Sequence, residues 1–180
     1  MEEIRIRPAT VEDVGLILRH RTAMFSDMGY QDEARLALMR ASSEAFLRRG
    51  MVDGTYQGWL AAAADGRVVA GGGVAIVPWS GSPEDPAPRR GWILNIYTEP
   101  AFRHRGLARQ IMETIVGWCR AEGFLTVSLH ASPFGRPLYE SMGFRQTNEM
   151  RLYLDQWPRP SGSRESTAGT SPGVTSLRDG

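Results

Sequence analysis

Residues 92–109 read Trp-Ile-Leu-Asn-Ile-Tyr-Thr-Glu-Pro-Ala-Phe-Arg-His-Arg-Gly-Leu-Ala-Arg, and this stretch limits the fold more than any other. Trp92 to Thr98 is a short, mostly apolar run rich in β-forming residues, which predicts a buried strand. Pro100 has no N–H to give a ladder, so pairing stops there. Gly106 carries no Cβ and lets the main chain come close to whatever lies at the mouth of the next element. Beyond it Leu107, Ala108, Ile111, Ile115, Trp118 and Cys119 recur at helical spacing and mark one apolar stripe. A strand, a basic glycine turn and an amphipathic helix in succession belong in a layered α/β fold.

The start of such a helix leaves several N–H groups without acceptors and carries the positive end of the helix dipole. Arg103, Arg105 and Arg109 cluster around it, so the turn suits a phosphate or diphosphate. Taken alone, a basic turn reads equally well as a solvated surface turn.

The rest of the chain supplies the layers. Ile4 and Ile6 alternate with arginines before Pro8, a short strand with one buried face. Thr10 to Asp13 resembles a capping box, opening a helix to about Phe25 that buries Val14, Ile17 and Leu18 until Gly29 breaks it. A second helix is expected from Asp32 to Arg49, presenting Leu36, Met39, Phe46 and Leu47, with Gly50 ending it. Asp65-Gly66 joins the strand-like runs 55–64 and 67–77 as a hairpin. The glycines at 71–73 inside the second run predict a bulge or close packing, with clearance for a ligand as the alternative. A turn-rich surface loop covers 79–90. Leu125, Val127 and Leu129 alternate as a further strand ending at His130, 134–142 is a short helix, and 144–154 returns as one or two strands.

From Trp157 the composition shifts to Ser, Gly, Thr, Pro and Arg without aromatics, so 1–155 reads as a single domain and 156–180 as a flexible, disordered tail. A formal net charge of +1 gives no global case for nucleic acid or an anionic membrane as partner. One cysteine excludes an internal disulfide and, with three scattered histidines, makes a zinc site unexpected, so no metal is assigned. Cys119 lies on the apolar stripe and reads as a small buried hydrophobe rather than an acyl carrier. The charged first residues and the lack of a membrane-length apolar run give a cytoplasmic expectation.

Arg103-His104-Arg105-Gly106-Leu107-Ala108 resembles the Arg/Gln-x-x-Gly-x-Gly/Ala motif of the GNAT superfamily of acetyl-CoA-dependent N-acetyltransferases. Gly135 to Phe144 resembles that superfamily's second landmark, a helix carrying a tyrosine and closing with Gly-Phe. The resemblance implies a mixed, mainly antiparallel central sheet of roughly six to seven strands flanked by about four helices. It implies an N-acetyltransferase moving an acetyl group from acetyl-CoA directly to a primary amine of a small molecule or peptide; the alternative is a CoA-binding sensor or scaffold without turnover. Homodimer formation is a family-based expectation only.

The resemblance also places site residues. Main-chain groups from His104 through Gly106, Leu107 and Ala108 to Arg109 would hold the CoA diphosphate, with Arg103 or Arg105 at the phosphates. Ile96, Tyr97 and Thr98 would lie beside the thioester, and Ser132 against the pantetheine. Tyr139 would give a proton to the departing thiolate, since an ordinary phenol with a pKa of about 10 stays protonated at neutral pH. Position and residue type, rather than the resemblance, make Glu99, just before the turn, and His130, ending the adjacent strand, the candidate bases. Asn95 would share a strand face with Tyr97 and Glu99 and orient a substrate. The acceptor pocket is expected from the first two helices, the 79–90 loop and the open end of the central strands.

Overall fold

The computed structural model describes residues 3–154. These fall into two units divided after Phe144. In the first unit the order is β1 (Ile4–Pro8), a 3-10 turn (Val11–Asp13), α1 (Val14–Asp27), α2 (Glu33–Asp53), β2 (Tyr56–Ala63), β3 (Val68–Pro78), β4 (Arg89–Thr98), a second 3-10 turn (Pro100–Phe102), α3 (Leu107–Ala121), β5 (Val127–Leu129) and α4 (Arg136–Ser141). One sheet holds the strands in chain order; β1 to β4 pair antiparallel and β5 runs parallel to β4.

Local chemistry sets the ends of the helices. The Asp13 carboxylate accepts from Thr10 N–H at 2.9 Å and from Arg7 Nη1 and Nη2 at 2.7 and 2.8 Å, which fixes the entry to α1. Asp32 caps α2 by accepting from Arg35 N–H at 3.1 Å. The expected stop at Gly50 does not occur. Gly50 is buried within α2, where a Cβ would come within 2.7 Å of Tyr56 Cβ. That glycine allows close packing on the start of β2, and the helix ends instead at Gly54, at φ +77°.

The two sheet faces carry separate cores. On one, α3 packs Leu107, Ile111, Met112, Ile115 and Cys119 against Trp59, Val74 and Ile93. On the other, Val14, Ile17 and Leu18 of α1 and Leu47 of α2 pack against Tyr56, Leu60 and Ala75. The triple glycine lets both layers close down on β3. A Cβ at Gly72 would overlap Ile96 and come within 3.0 Å of Ile111, while one at Gly71 would meet Leu60 at 2.8 Å and one at Gly73 would overlap the Tyr56 phenol. Close packing is therefore the finding, and a bulge lies opposite these glycines on β4.

Three further expectations are corrected. The described sheet has five strands rather than six to seven. Leu125 lies outside β5 and is exposed. Residues 144–154 contain no strand. In the second unit, Met150, Leu152 and Leu154 keep the alternation that suggested one, but all three are exposed, and alternation becomes a strand only where a ladder partner buries one face. The boundary at 155 and the tail 156–180 lie outside the described residues. No described helix is long and apolar enough to cross a membrane.

Candidate active site

β4 and β5 pair only at Gly91·Val127, Trp92·Ser128 and Ile93·Leu129. There β5 ends, while β4 continues to Thr98, so a wedge opens along the last part of β4. Within that part Gly73 pairs with Leu94 and Gly71 with Tyr97, so Asn95 and Ile96 together oppose Gly72. Asn95 takes a left-handed conformation at φ +62°, which asparagine tolerates better than most residues. The bulge resets the alternation of side chains. Ile96 joins the α3 core, and Asn95, Tyr97 and Glu99 all meet α1. The expected common face for those three residues is therefore present, and Ile96 can offer the wedge only its main chain.

Successive residues of α1 meet that face. Arg19 Nη2 donates to Glu99 Oε1 at 2.9 Å. The His20 ring lies 5.2 Å from the Tyr97 ring, tilted by 47°, and its Nε2 lies 3.5 Å from the same Glu99 oxygen. Arg21 donates to Asn95 Oδ1 at 2.5 Å and to Ser43 Oγ at 3.0 Å, and Asn95 Nδ2 donates to the Tyr56 hydroxyl at 3.3 Å. Burial lowers the pKa of His20 from its ordinary 6.5, with Arg19 adding to the effect, and pushes Tyr56 up to about 12. Asn95 is thus tied into the protein rather than open to a substrate. The sequence reading missed His20, Arg21 and Tyr56. One signal was available: His20 and Arg21 stand where the Val14–Ile17–Leu18 stripe should continue apolar.

After β4 the chain makes its basic turn. His104 at φ +60° and Gly106 at φ +79° are both left-handed, which curves the main chain into a concave loop. The first α3 bond recorded from the turn runs from Gln110 N–H to Gly106 C=O at 3.1 Å, so by helix geometry the N–H groups of Leu107, Ala108 and Arg109 have no intrahelical acceptor. The Leu107 side chain is buried in the core. Arg103 donates to Thr98 C=O at 3.0 Å, pairs with Asp27 at the end of α1, and sits 5.7 Å from the Tyr97 ring centroid. Arg105 donates to Ala101 C=O at 3.0 Å and covers Phe102. Arg109 donates to Ser141 Oγ at 2.6 Å, tying α3 to α4. A guanidinium has five N–H donors, so each keeps capacity for a phosphate oxygen. Concave main chain plus flanking arginines fits a diphosphate.

Tyr139 lies on the other side of the wedge, packed with the α3 core and 6.0 Å from the Phe144 ring. A Cβ at Gly135 would sit 2.8 Å from the Tyr139 ring, so the glycine makes room for it. Burial raises the Tyr139 pKa, which keeps the phenol protonated. Ser132 serves the turn into α4: its Oγ accepts from Gly135 N–H at 3.2 Å, and its C=O accepts from Gly135 and Arg136 N–H at 3.1 and 3.0 Å. His130 packs edge-on against Trp92, with centroids 4.7 Å apart. The structure thus separates the three candidate acid–base groups: Tyr139 is on the α3 side, and Glu99 and His130 are on the α1/α2 side.

A cleft of about 270 Å³ lies between the α1–α2 connection and the loop before α4, lined by Met28, Gly29, Tyr30, Pro133 and Phe134. The 79–90 loop is not part of it. That loop joins β3 to the start of β4, where Asp85 accepts from Thr126 N–H and Oγ1 at 3.1 and 2.8 Å and the Arg90 guanidinium lies over the Trp79 and Trp92 rings. Cys119 is 2% exposed, with its pKa pushed up to about 11 by burial, as expected of a structural thiol. No group of three or more metal-ligating side chains occurs among the described residues.

The model of the acetyltransferase (GNAT) family matches residues 24–144. A [ribosomal protein bS18]-alanine N-acetyltransferase of Haemophilus ducreyi is 30% identical over 77 residues, covering 41% of this chain and 51% of the relative. The chain thus matches about half the length of that curated relative. The crystal structure of a GCN5-related N-acetyltransferase from Ralstonia eutropha JMP134 is 34% identical with a TM-score of 0.80, covering 85% of this chain and 99% of that one. A predicted acetyltransferase from Clostridium acetobutylicum, solved with acetyl-CoA, shares the fold with a TM-score of 0.79 at 23% identity, covering 87% of this chain and 100% of that one.

Proposed function

The chain belongs to the GNAT acetyltransferase family, and on that premise we propose that it binds acetyl-CoA at the turn before α3 and transfers the acetyl group directly to a primary amine. One observation carries this reading. β4 loses its β5 partner after Ile93 yet runs on to Thr98 and the concave turn, so a single open wedge leads from a diphosphate-type site to a row of polar groups.

Acetyl-CoA supplies an activated acyl thioester; the chain does the rest. Main-chain N–H groups from His104 to Arg109 hold the diphosphate, with Arg103, Arg105 and Arg109 beside them. The Ile96–Tyr97–Thr98 main chain offers a donor to the charge that develops on the carbonyl oxygen, and Ser132 borders the carrier arm. On the α1 side Glu99 takes a proton from the amine, with His130 flanking the acceptor's approach. From the opposite side Tyr139 gives its proton to the leaving sulfur. A base and an acid on opposite sides of the sheet can serve opposite ends of the same transfer without competing for position. The acceptor is a primary amine of a small molecule or a peptide.

Titration calorimetry with acetyl-CoA at low ionic strength tests the reading, paired with a thiol-release assay over an amine panel. The wild type is expected to bind and to release CoA with at least one amine, and Gly106→Glu to bind more than 100-fold more weakly. The substitution puts a side chain at φ +79° and a negative charge where phosphate sits. Tyr139→Phe is expected to bind normally and turn over slowly. Absence of binding in the wild type overturns the reading, and binding without thiol release from any amine turns it into a CoA sensor.

A further inference from the structure

Two buried polar side-chain atoms among the described residues have no hydrogen-bond partner, His20 Nε2 and Thr98 Oγ1, and both lie at the open end of β4. A buried polar atom left unpaired in a native protein costs free energy and calls for a reason. His20 is in mid-α1 and 3% exposed. Its Nε2 faces Glu99 Oε1 across 3.5 Å, somewhat longer than a formed hydrogen bond.

Everything else about Glu99 is fixed. Its N–H donates to Val69 C=O and its own C=O accepts from Phe102 N–H, both at 2.8 Å. Arg19 grips Oε1 at 2.9 Å. No described hydrogen bond uses Oε2. One carboxylate oxygen is thus addressed twice from α1, and the other is left for a ligand. We propose that His20 is the positioning residue of this carboxylate: its Nε2–H closes onto Glu99 Oε1 when an amine engages Oε2, setting the carboxylate for proton removal. The inference rests on Glu99 being the base.

The residue type suits the task. A lysine at this place would stay charged and weaken the carboxylate as a base. Burial keeps the imidazole neutral at neutral pH, so it orients through a hydrogen bond without adding a second cation beside Arg19. The charged or titratable groups facing the ring are Arg19 from α1, Tyr97 from β4 and Glu99 after it; on β3, Gly71 lies beside the ring.

The test compares His20→Leu with His20→Gln in the full chain, using acetyl-CoA and an amine the wild type acetylates. The leucine variant is expected to bind acetyl-CoA within 2-fold of wild type. Its kcat/KM should fall at least 10-fold, with the acidic limb of the pH profile displaced. Glutamine keeps an N–H at similar reach and should recover kcat/KM to within 3-fold of wild type. Equal losses in both variants, or an unchanged pH limb in the leucine variant, overturn the proposal. A second measurement needs no turnover. The chain has three histidines, so imidazole ¹⁵N resonances are assignable by substitution. Glu99→Gln should move those of His20 and lower its titration midpoint, and no change overturns the proposal even if leucine unfolds the protein. Wild type that neither binds acetyl-CoA nor acetylates an amine defeats the acetyltransferase reading instead, while the resonance shift still decides the His20–Glu99 contact.

Discussion

The two faces of the sheet solve different problems. Against α3 the core is built from Ile111, Met112 and Ile115, all fully buried, with the Cys119 thiol among them. Against α1 and α2 lie the buried polar residues His20, Ser43 and Asn95. The α3 face fixes the helix whose N-terminus would meet the carrier; the α1/α2 face holds the groups that would meet the acceptor. The buried polar residues are gathered in the α1/α2 layer, and a single bulged strand, β4, serves both layers.

If that division is right, the largest loss of stability comes from the apolar side. Ile111 lies in the apolar cluster against α3 and has no accessible surface. Ile111→Ala should cost about 2–5 kcal/mol, the transfer of the lost methyls plus the cavity they leave. Urea unfolding measures it. A loss smaller than that from any single polar substitution on the opposite face would break the comparison.

The same division explains what the sequence let one read. α3 was legible because its stripe is regular and its face uniformly apolar, and the hairpin at Asp65-Gly66 because a turn dipeptide is local chemistry. The basic turn and the helix of Tyr139 were legible as short contiguous motifs. The α1 side was not. Arg19 meets a carboxylate 80 positions away and Arg21 an amide 74 away, distances over which periodicity says nothing. The left-handed Asn95 was equally hidden, because the bulge follows from how β4 registers against three glycines on β3. Gly50 misled for a related reason: its role is contact with Tyr56, which only the folded chain reveals. The expected last strands failed where alternating apolar residues lacked a burying partner.

A middle-sized effect should separate strain from bonding on the polar face. Asn95→Ala removes the amide that joins Arg21 to Tyr56 and places a Cβ at φ +62° without the local hydrogen bonding asparagine offers. About 2 kcal/mol of destabilisation is expected from the stranded partners and the strain together. Asn95→Gly loses the same hydrogen bonds but accepts positive φ freely, and should recover about 1 kcal/mol of that loss. Equal melts for alanine and glycine would assign the whole cost to the bonds.

The smallest effect distinguishes the faces by pH, since burial raises both Cys119 and Tyr139 on the α3 face and keeps them protonated below pH 7. His20 is held below its ordinary 6.5, so the unfolded chain binds its proton more readily, and stability on this account falls as pH drops below 6.5. Asp13 works in a lower window with the opposite chemistry. Its hydrogen bonds with Arg7 hold the carboxyl at about 2 against an ordinary 3.8, so its contribution is complete above 3.8 and is lost as pH falls towards 2. Arg7 is 43% exposed, so solvent screens the pair and Asp13→Asn should cost only about 0.5–1 kcal/mol at neutral pH. Followed by urea unfolding from pH 7 to pH 2, Asp13→Asn should shrink the lower step, in which Asp53 and Asp85 also titrate, and keep the upper one, while His20→Gln should lose the upper step and keep the lower. An Ile111→Ala variant should keep both steps at reduced stability, because removing apolar contacts from the α3 face changes the height of the curve without touching the groups that give it shape.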